Sequence, residues 1–388
     1  MIRDLQEADT PVSSCVAEVA VIGGGIAGLM LATRLEKHGI SVAVVESGPR
    51  NGGCDDDPLN EVEYTGQTYR AADEGRVRGI GGTSVKWGGA MLPFLPCDME
   101  AHTAGWTGEW PVKYAEVEEY YGAIERQFRL PSGTYQTEST CADAAGDFIL
   151  RSAKWPSFKR RNIARLLKRD LETSSLQIWV NATATRFELD ASGRVSKVHA
   201  TAPSGNKLEV AASRVVIASG AIESTRLLLL LDSHQSNRIF KRDGQLGHYL
   251  HDHLSTAAAQ IVPVDLKKLN TTFGLKFSRG GMRDLRIEPS PTLRRRNGLP
   301  AAFAHVSAAS DGRCAFAALR DIYRNLQRSA RPEPASVATA ARDAPWLLRA
   351  AWWRFGRGRL LYPRAARFDL TLVIEQHGRI RYAVDEAL

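Results

Sequence analysis

The chain has no C-x-x-C pair and no regular cysteine spacing. Its five cysteines (Cys15, Cys54, Cys97, Cys141 and Cys314) are odd in number and scattered over 388 residues. That excludes a disulfide framework or a zinc ribbon and suits a reducing compartment. Nor is there an apolar run that could cross a bilayer. The longest leucine stretch, Leu227 to Leu231, falls far short of the roughly 20 residues a spanning helix needs. Met1 to Ser14 is polar and acidic and lacks the apolar centre of a secretory signal. A cytoplasmic protein is the expectation. Internal repeats and low-complexity tracts are also missing. Acidic residues run short in one place: residues 313–367 hold twelve arginines against Asp321, Glu333 and Asp343, so this stretch is +9 in a chain of formal charge +8.

No known nucleic-acid-binding pattern accompanies that charge, so nucleic acid is not an expected partner. Trp346, Ala350 and Trp353 fall on one helical face, which favours packing against a sheet. A peripheral membrane contact, or a dock for an anionic substrate, is the other reading of the same stretch. The rest of the composition, 44% hydrophobic and 24% charged, is that of an ordinary globular protein, and the length implies two structural units.

Glu18 to Ile22 is a short apolar run of the kind that forms a buried parallel strand. Gly23-Gly-Gly-Ile-Ala-Gly28 follows, then a helix over Leu29–His38 and a second buried strand over Ser41–Val45, ending at Glu46. This is a β-α-β unit carrying G-x-G-x-x-G. Gly23 makes the tight turn, Gly25 lets the backbone approach a pyrophosphate, and Gly28 lets the helix lie close to the sheet. The helix N-terminus offers free N–H groups and a positive dipole end to phosphate, and Ile26 and Ala27 within the glycine turn count among the cofactor-binding residues. Glu46, 18 residues after Gly28, stands where a carboxylate accepts from ribose hydroxyls, with Ser47 beside it. The fingerprint serves FAD and NAD(P) alike, although a free carboxylate disfavours a 2′-phosphate.

Arg50 to Asp73 reads as a surface excursion, and Arg78 to Gly89 as a loop that must come close to something, with five glycines around Thr83, Ser84 and Trp87. An amphipathic helix is expected over Tyr114–Phe128, and another over Asn162–Leu171. Strands over 177–188, 195–200 and 207–210 form an antiparallel meander. Val215 to Ala218, broken by Ser219-Gly220 and followed by a helix from about Ile222, is a second strand–glycine–helix junction. Beyond Gly244, strands over 255–264 and 368–375 and helices over 316–326 and 345–355 are expected.

Four segments in order resemble the glucose–methanol–choline oxidoreductase family of FAD flavoproteins. They are Val21–Gly28 with Glu46-Ser-Gly48; Gly79-Ile-Gly-Gly-Thr-Ser-Val-Lys-Trp-Gly-Gly89; Ala218-Ser-Gly-Ala-Ile-Glu-Ser-Thr-Arg-Leu227; and Leu246-Gly-His-Tyr-Leu-His-Asp-His253. The second of these, with Trp110-Pro-Val-Lys-Tyr114, looks most like the branch that oxidises sugars and sugar acids. The resemblance implies an α/β chain: a Rossmann-like, discontinuous FAD-binding domain over 15–97 and 160–240, a helical excursion over 98–159, and an α+β substrate domain on an antiparallel sheet over 241–388.

It also implies FAD held by Gly23, Gly25 and Gly28 at the pyrophosphate and by Glu46 at the ribose. Gly82, Thr83, Ser84, Trp87, Gly88 and Gly89 would run along the isoalloxazine, Ala184 against the adenine, and Ser219, Gly220 and Glu223 at the adenosine end. Lys86 stands where one branch of the family has a flavin-linked histidine, so the flavin should be non-covalent. The implied reaction is oxidation of an alcohol CH–OH group, with hydride passing to the flavin and electrons to an acceptor such as oxygen, a quinone or a redox protein.

The family's catalytic histidine segment has no match here. His377-Gly378 replaces the proline-containing turn expected after Glu375-Gln376, and the chain is expected to correspond to the first three quarters of such an enzyme, with a substrate domain incomplete at its C-terminus. His248, His251 and His253 read as loop histidines rather than a metal cluster, with His251 and His253 as weak candidates for the base; no metal is expected. The alternatives are a catalytically defective FAD-binding fragment and another two-domain flavoprotein of hydroxylase or ketosteroid dehydrogenase type.

Overall fold

The computed structural model describes residues 1–375 except 52, 54–56, 66–67, 70, 101–109, 138–145, 237–238, 241–244, 249, 279–280, 310–313, 328–329 and 364–365. Cys54, Cys141 and the Gln376–Gly378 turn lie outside the described residues. The strands are, in chain order, β1 (Ile2–Asp4), β2 (Val12–Ile22), β3 (Val42–Val45), β4 (Phe148–Trp155), β5 (Gln177–Val180), β6 (Thr183–Leu189) and β7 (Val195–Thr201). Then come β8 (Lys207–Ile217), β9 (His253–Ile261), β10 (Lys276–Ser278), β11 (Gly281–Pro289), β12 (Ala302–Ala309) and β13 (Arg367–Glu375). The longer helices are α1 (Ile26–Lys37), α2 (Tyr114–Phe128), α3 (Ala221–His234), α4 (Leu266–Phe273), α5 (Pro291–Asn297), α6 (Ala315–Gln327), α7 (Pro334–Arg342) and α8 (Ala344–Gly356).

The described residues divide into two units, one of Met1–Trp87 and Lys159–Leu250, the other of Gly88–Phe158 and residues 251–375. The first is built on a seven-stranded sheet in the order β1-β5-β3-β2-β8-β7-β6. Its β1, β5, β3, β2 and β8 are parallel neighbours, and β8, β7 and β6 form the antiparallel meander. Every residue of β3 is buried, as is the end of β2 from Val19 to Ile22. That is the pattern of strands covered on both faces. Gly28, Leu29, Ala32 and Thr33 are the buried positions of α1, and Gly39 (φ +79) follows its end.

The second unit has a six-stranded antiparallel sheet, β10-β11-β12-β13-β9, with β4 paired to β11. Residues 98–159, expected as a helical excursion, hold α2 but also contribute β4 to this sheet. Helix α2 has the expected bounds, half-buries Val117, Tyr121 and Ile124, fully buries Phe128, and ends at Arg129 in the left-handed region (φ 50).

Three expectations change. The single strand over 177–188 is two, because Asn181 turns left-handed (φ 50) and redirects the chain from the parallel sheet into the meander. The separate strands over 207–210 and 215–218 are one continuous strand, β8, which pairs with β7 along its first half and with β2 throughout. The helix over 162–171 is two short turns, Ile163–Leu166 and Lys168–Thr173.

Within the second unit, Lys154 on β4 is almost fully buried. Its Nζ lies 2.7 Å from Glu125 Oε1 of α2 and 4.1 Å above the Tyr135 ring. Glu125→Ala strands that ammonium and should destabilise the unit by about 3 kcal/mol, the low end for breaking a buried pair. A urea titration measures it; an unchanged midpoint would show that the ion pair is idle.

Candidate dinucleotide-binding site

Two strand–glycine–helix junctions stand side by side in the first unit. Ile22 at the end of β2 is in register with Ile217 at the end of β8. The Gly23 N–H donates to Val45 O (2.8 Å) and the Ala218 N–H to Ile22 O (2.7 Å). A Cβ on Gly23 (φ +110) would lie 2.5 Å from Ala218 O, and one on Gly28 would lie 1.9 Å from Gly23 O. No side chain other than hydrogen therefore fits either position without moving backbone. At Gly25 the situation is reversed: a Cβ there meets nothing within 4 Å. Gly25 caps α1 with no side-chain hydrogen bond, so the first N–H groups at Ile26 and Ala27 have no side-chain cap. Gly220 (φ +81) caps α3 in the same way, also facing open space, and the Ser219 hydroxyl donates to Ile22 O (3.0 Å).

The second glycine loop folds against the first. Gly81 N–H donates to Gly24 O (2.8 Å), and a Cβ on Gly82 would lie 2.9 Å from Gly25 Cα. Ser84, fully buried, donates to Gly81 O (2.6 Å) and accepts from the Ile163 N–H (3.0 Å). Trp87 donates from Nε1 to Arg161 O (2.8 Å). Ser84 and Trp87 thus anchor the loop to the turns at 158–166, while Thr83 is exposed. Gly88 and Gly89 belong to the second unit, where Gly88 faces the Trp155 ring.

Glu46 sits at the centre of these loops and is buried. Oε2 accepts from Gly24 N–H (2.6 Å), and Oε1 accepts from Gly48 N–H (2.8 Å) and Gly79 N–H (2.9 Å). The Ser47 hydroxyl accepts from Arg78 Nη1 (3.0 Å). The Ser47 hydroxyl also donates to Oε1 at 3.4 Å, whereas Oε2 carries the Gly24 N–H alone and keeps a lone pair for one further hydroxyl. Ala184 lies buried on β6 opposite Ala200.

An arginine clamp that the sequence did not announce lies next to this. Glu223, in the first turn of α3, takes Arg76 (3.0 Å), Arg78 (2.8 Å) and Arg226 (3.1 Å) on its carboxylate. Arg76 also donates to Ala72 O and Asn60 O, and Arg78 to Asn60 Oδ1 and Leu59 O. Burial opposes ionisation of Glu223, but the guanidiniums of Arg78, Arg226 and Arg76 outweigh it and hold the carboxyl below its ordinary range. Glu223 therefore fixes the approach to the second glycine loop; its own oxygens are taken up by arginine.

His248 belongs to the first unit, and His251 and His253 to the second. His248 and His251 are exposed, and exposed His253 pairs across strands with Glu375, Nε2 to Oε1 at 2.7 Å. The hydrogen bond to Glu375 raises the His253 pKa. Among the described residues no three His, Cys, Asp or Glu side chains are grouped to hold a metal ion.

An open glycine turn, two uncapped helix starts and a carboxylate with acceptor capacity fit the pyrophosphate and ribose of a dinucleotide such as FAD. The comparisons agree with that part of the chain. Residues 21–79 match the family described as NAD(P)-binding Rossmann-like domain. Fructose dehydrogenase large subunit of Gluconobacter japonicus is 26% identical over 159 residues, 32% of this chain and 29% of that protein. The 6'''-hydroxyparomomycin C oxidase of Streptomyces lividus is 32% identical over 30% of this chain and 24% of its own length. The matches thus span under a third of these relatives. A crystal structure of pyridoxine 4-oxidase from Mesorbium loti aligns over 92% of this chain and 71% of its own, at 15% identity and TM-score 0.45.

Two substitutions test the site's framework. Glu46→Gln removes the charge and sets an NH2 against the peptide donors on one of the two oxygen positions, Gly24 at the least, while the remaining carbonyl still accepts at the other; it should cost about 1.5–3 kcal/mol for each charge-assisted bond lost. Chemical denaturation should show it; wild-type stability would mean that the loops hold without the carboxylate. Glu223→Gln should destabilise by about 3–5 kcal/mol near neutral pH, as a broken buried pair does. Because the folded pKa is depressed, this contribution is full above the ordinary glutamate pKa of about 4.3 and fades as pH falls through the folded value. The gap between wild type and variant should therefore close on acidification, and a gap constant with pH would refute the charge assignment.

Proposed function

We propose, for a chain similar to the glucose–methanol–choline oxidoreductases, that it binds FAD non-covalently and oxidises the CH–OH group of a sugar, polyol or related alcohol. The observation that carries this is the Glu46 carboxylate set among three glycine loops beside the open Gly25 turn. The similarity to a fructose dehydrogenase subunit and an aminoglycoside oxidase supports the substrate class. FAD, when bound, supplies a two-electron acceptor for the hydride of the carbinol carbon.

The chain's own part is to hold and orient. Gly25 and the α1 start receive the pyrophosphate, Glu46 a ribose hydroxyl, and the loop from Gly79 to Trp87, stiffened by Ser84, closes over the turn. Lys86, directed to Glu74 O at 3.4 Å, supports a dissociable cofactor at the position where a linking histidine would stand. His251 and His253 are the candidates within this chain for the proton acceptor. Cys15 is a buried thiol outside any disulfide, which supports a reducing, cytoplasmic location.

Protein denatured by heat or acid should release a yellow supernatant with flavin absorbance, and the polypeptide should retain none. Flavin fluorescence migrating with the denatured chain would overturn the non-covalent assignment. A folded preparation that takes up NAD but not FAD would overturn the cofactor. Anaerobic bleaching of the bound flavin by sugars or polyols then tests the substrate class, and bleaching by NAD(P)H alone would favour a hydroxylase.

A further inference from the structure

Helix α8 of the second unit is apolar on two opposite sides. Trp346, Ala350 and Trp353 point inward and are half-buried, with Trp346 edge-on to Phe316 at 6.2 Å. At 100° per residue, Leu348, Trp352 and Phe355 form a separate stripe about 60° wide on the far side. These three are exposed by 72%, 66% and 82%. An apolar stripe facing away from the molecule's own core is unusual on a helix with one face already packed.

Charge accompanies the stripe. From Ala344 to Arg367 the sequence has six arginines and no acidic residue. Arg349 is exposed at one flank of the stripe, and Arg354 at the other lies 5.3 Å from the Phe355 ring centroid. No helix among the described residues is long and apolar enough to cross a membrane.

We propose that the outer face of α8 docks on an anionic lipid bilayer, with Leu348, Trp352 and Phe355 entering the headgroup–acyl boundary and the arginines meeting acidic headgroups. The chemistry selects this occupant. A tryptophan and a phenylalanine on a helix flanked by arginine is the composition of an interfacial helix. A second copy of this chain would bring an equally basic segment against this one, and like charges oppose that pairing. Nucleic acid would engage the arginines and leave the stripe in water. The cytoplasmic leaflet, which is anionic, is the matching surface.

The test is co-sedimentation of the full chain with phosphatidylcholine vesicles, with and without phosphatidylserine, at low and high salt. Binding should require the anionic lipid, weaken with salt, and shift tryptophan emission to the blue. Trp352→Ser with Phe355→Ser should reduce partitioning about tenfold or more, and Arg349→Glu should weaken it without touching the stripe. All three positions are exposed, so circular dichroism should remain that of wild type. No binding to anionic vesicles, or equal binding by wild type and the double variant, overturns the proposal. So does a dimer by size exclusion that the double variant abolishes, or RNA binding that the double variant retains while lipid binding is absent.

Discussion

The Glu46 carboxylate is the constraint on which the first unit depends. Its side chain gathers peptide N–H groups from Gly24, Gly48 and Gly79, and its own backbone joins β5 at Trp179 O and the Ala182 N–H just beyond β5. A buried carboxylate is costly unless it is fully hydrogen-bonded, and here the bonds come from loops with no ladder of their own. The charge and the loops therefore stabilise each other. Without the carboxylate, the Gly79 turn would have lost a bond to β3's end. Without the loops, the carboxylate would have no donors.

Glycine makes that arrangement possible by removing side chains where backbones must touch. Gly28 against Gly23 O and Gly23 against Ala218 O are approaches that any Cβ would block. The two junctions can then lie next to each other at the ends of adjacent parallel strands, both helix starts turned to the same edge. That edge is where ligands settle in open parallel sheets. The Arg76–Glu223–Arg78 clamp secures it from outside, tying the segment ahead of the second glycine loop to the first turn of α3.

How much of this could be read from sequence follows from how local each feature is. The turn glycines, the helix α1 and the strand ending at Glu46 are set within thirty residues, so periodicity and residue type suffice. Glu46 itself stood out as an acid at the end of the second strand, but not as the hub of three loops, because Gly79 is 33 residues away. The clamp joins residues 147 apart, and nothing in either neighbourhood marks the partner. Strand β8 was divided because Ser213-Arg214 interrupts its apolar pattern; the two are exposed in a strand long enough to serve two pairings. In the second unit, β11 carries Arg283, Asp284, Arg286 and Glu288, a composition that hides a central strand.

That strand shows a different way of burying charge. Arg286 is paired with Asp284 at 2.8 Å, and Glu288 with Arg151 of β4 at 3.0 Å, all within the sheet's own side chains. Burial pushes the carboxyls of Asp284 and Glu288 up despite these partners, so neither pair fully offsets its desolvation. Only the Arg151–Glu288 pair crosses strands, tying β4 to β11, whereas Asp284–Arg286 lies within β11; such buried pairs are weak evidence of net stability. The contrast with Glu46 has a consequence for change over time. A side-chain network can be dismantled by one substitution and rebuilt as an apolar core by several. The Glu46 carboxylate is held chiefly by peptide N–H groups, so its bonds follow the backbone path of its loops, whereas the ion pairs of the second unit's sheet depend on individual side chains that one substitution can remove.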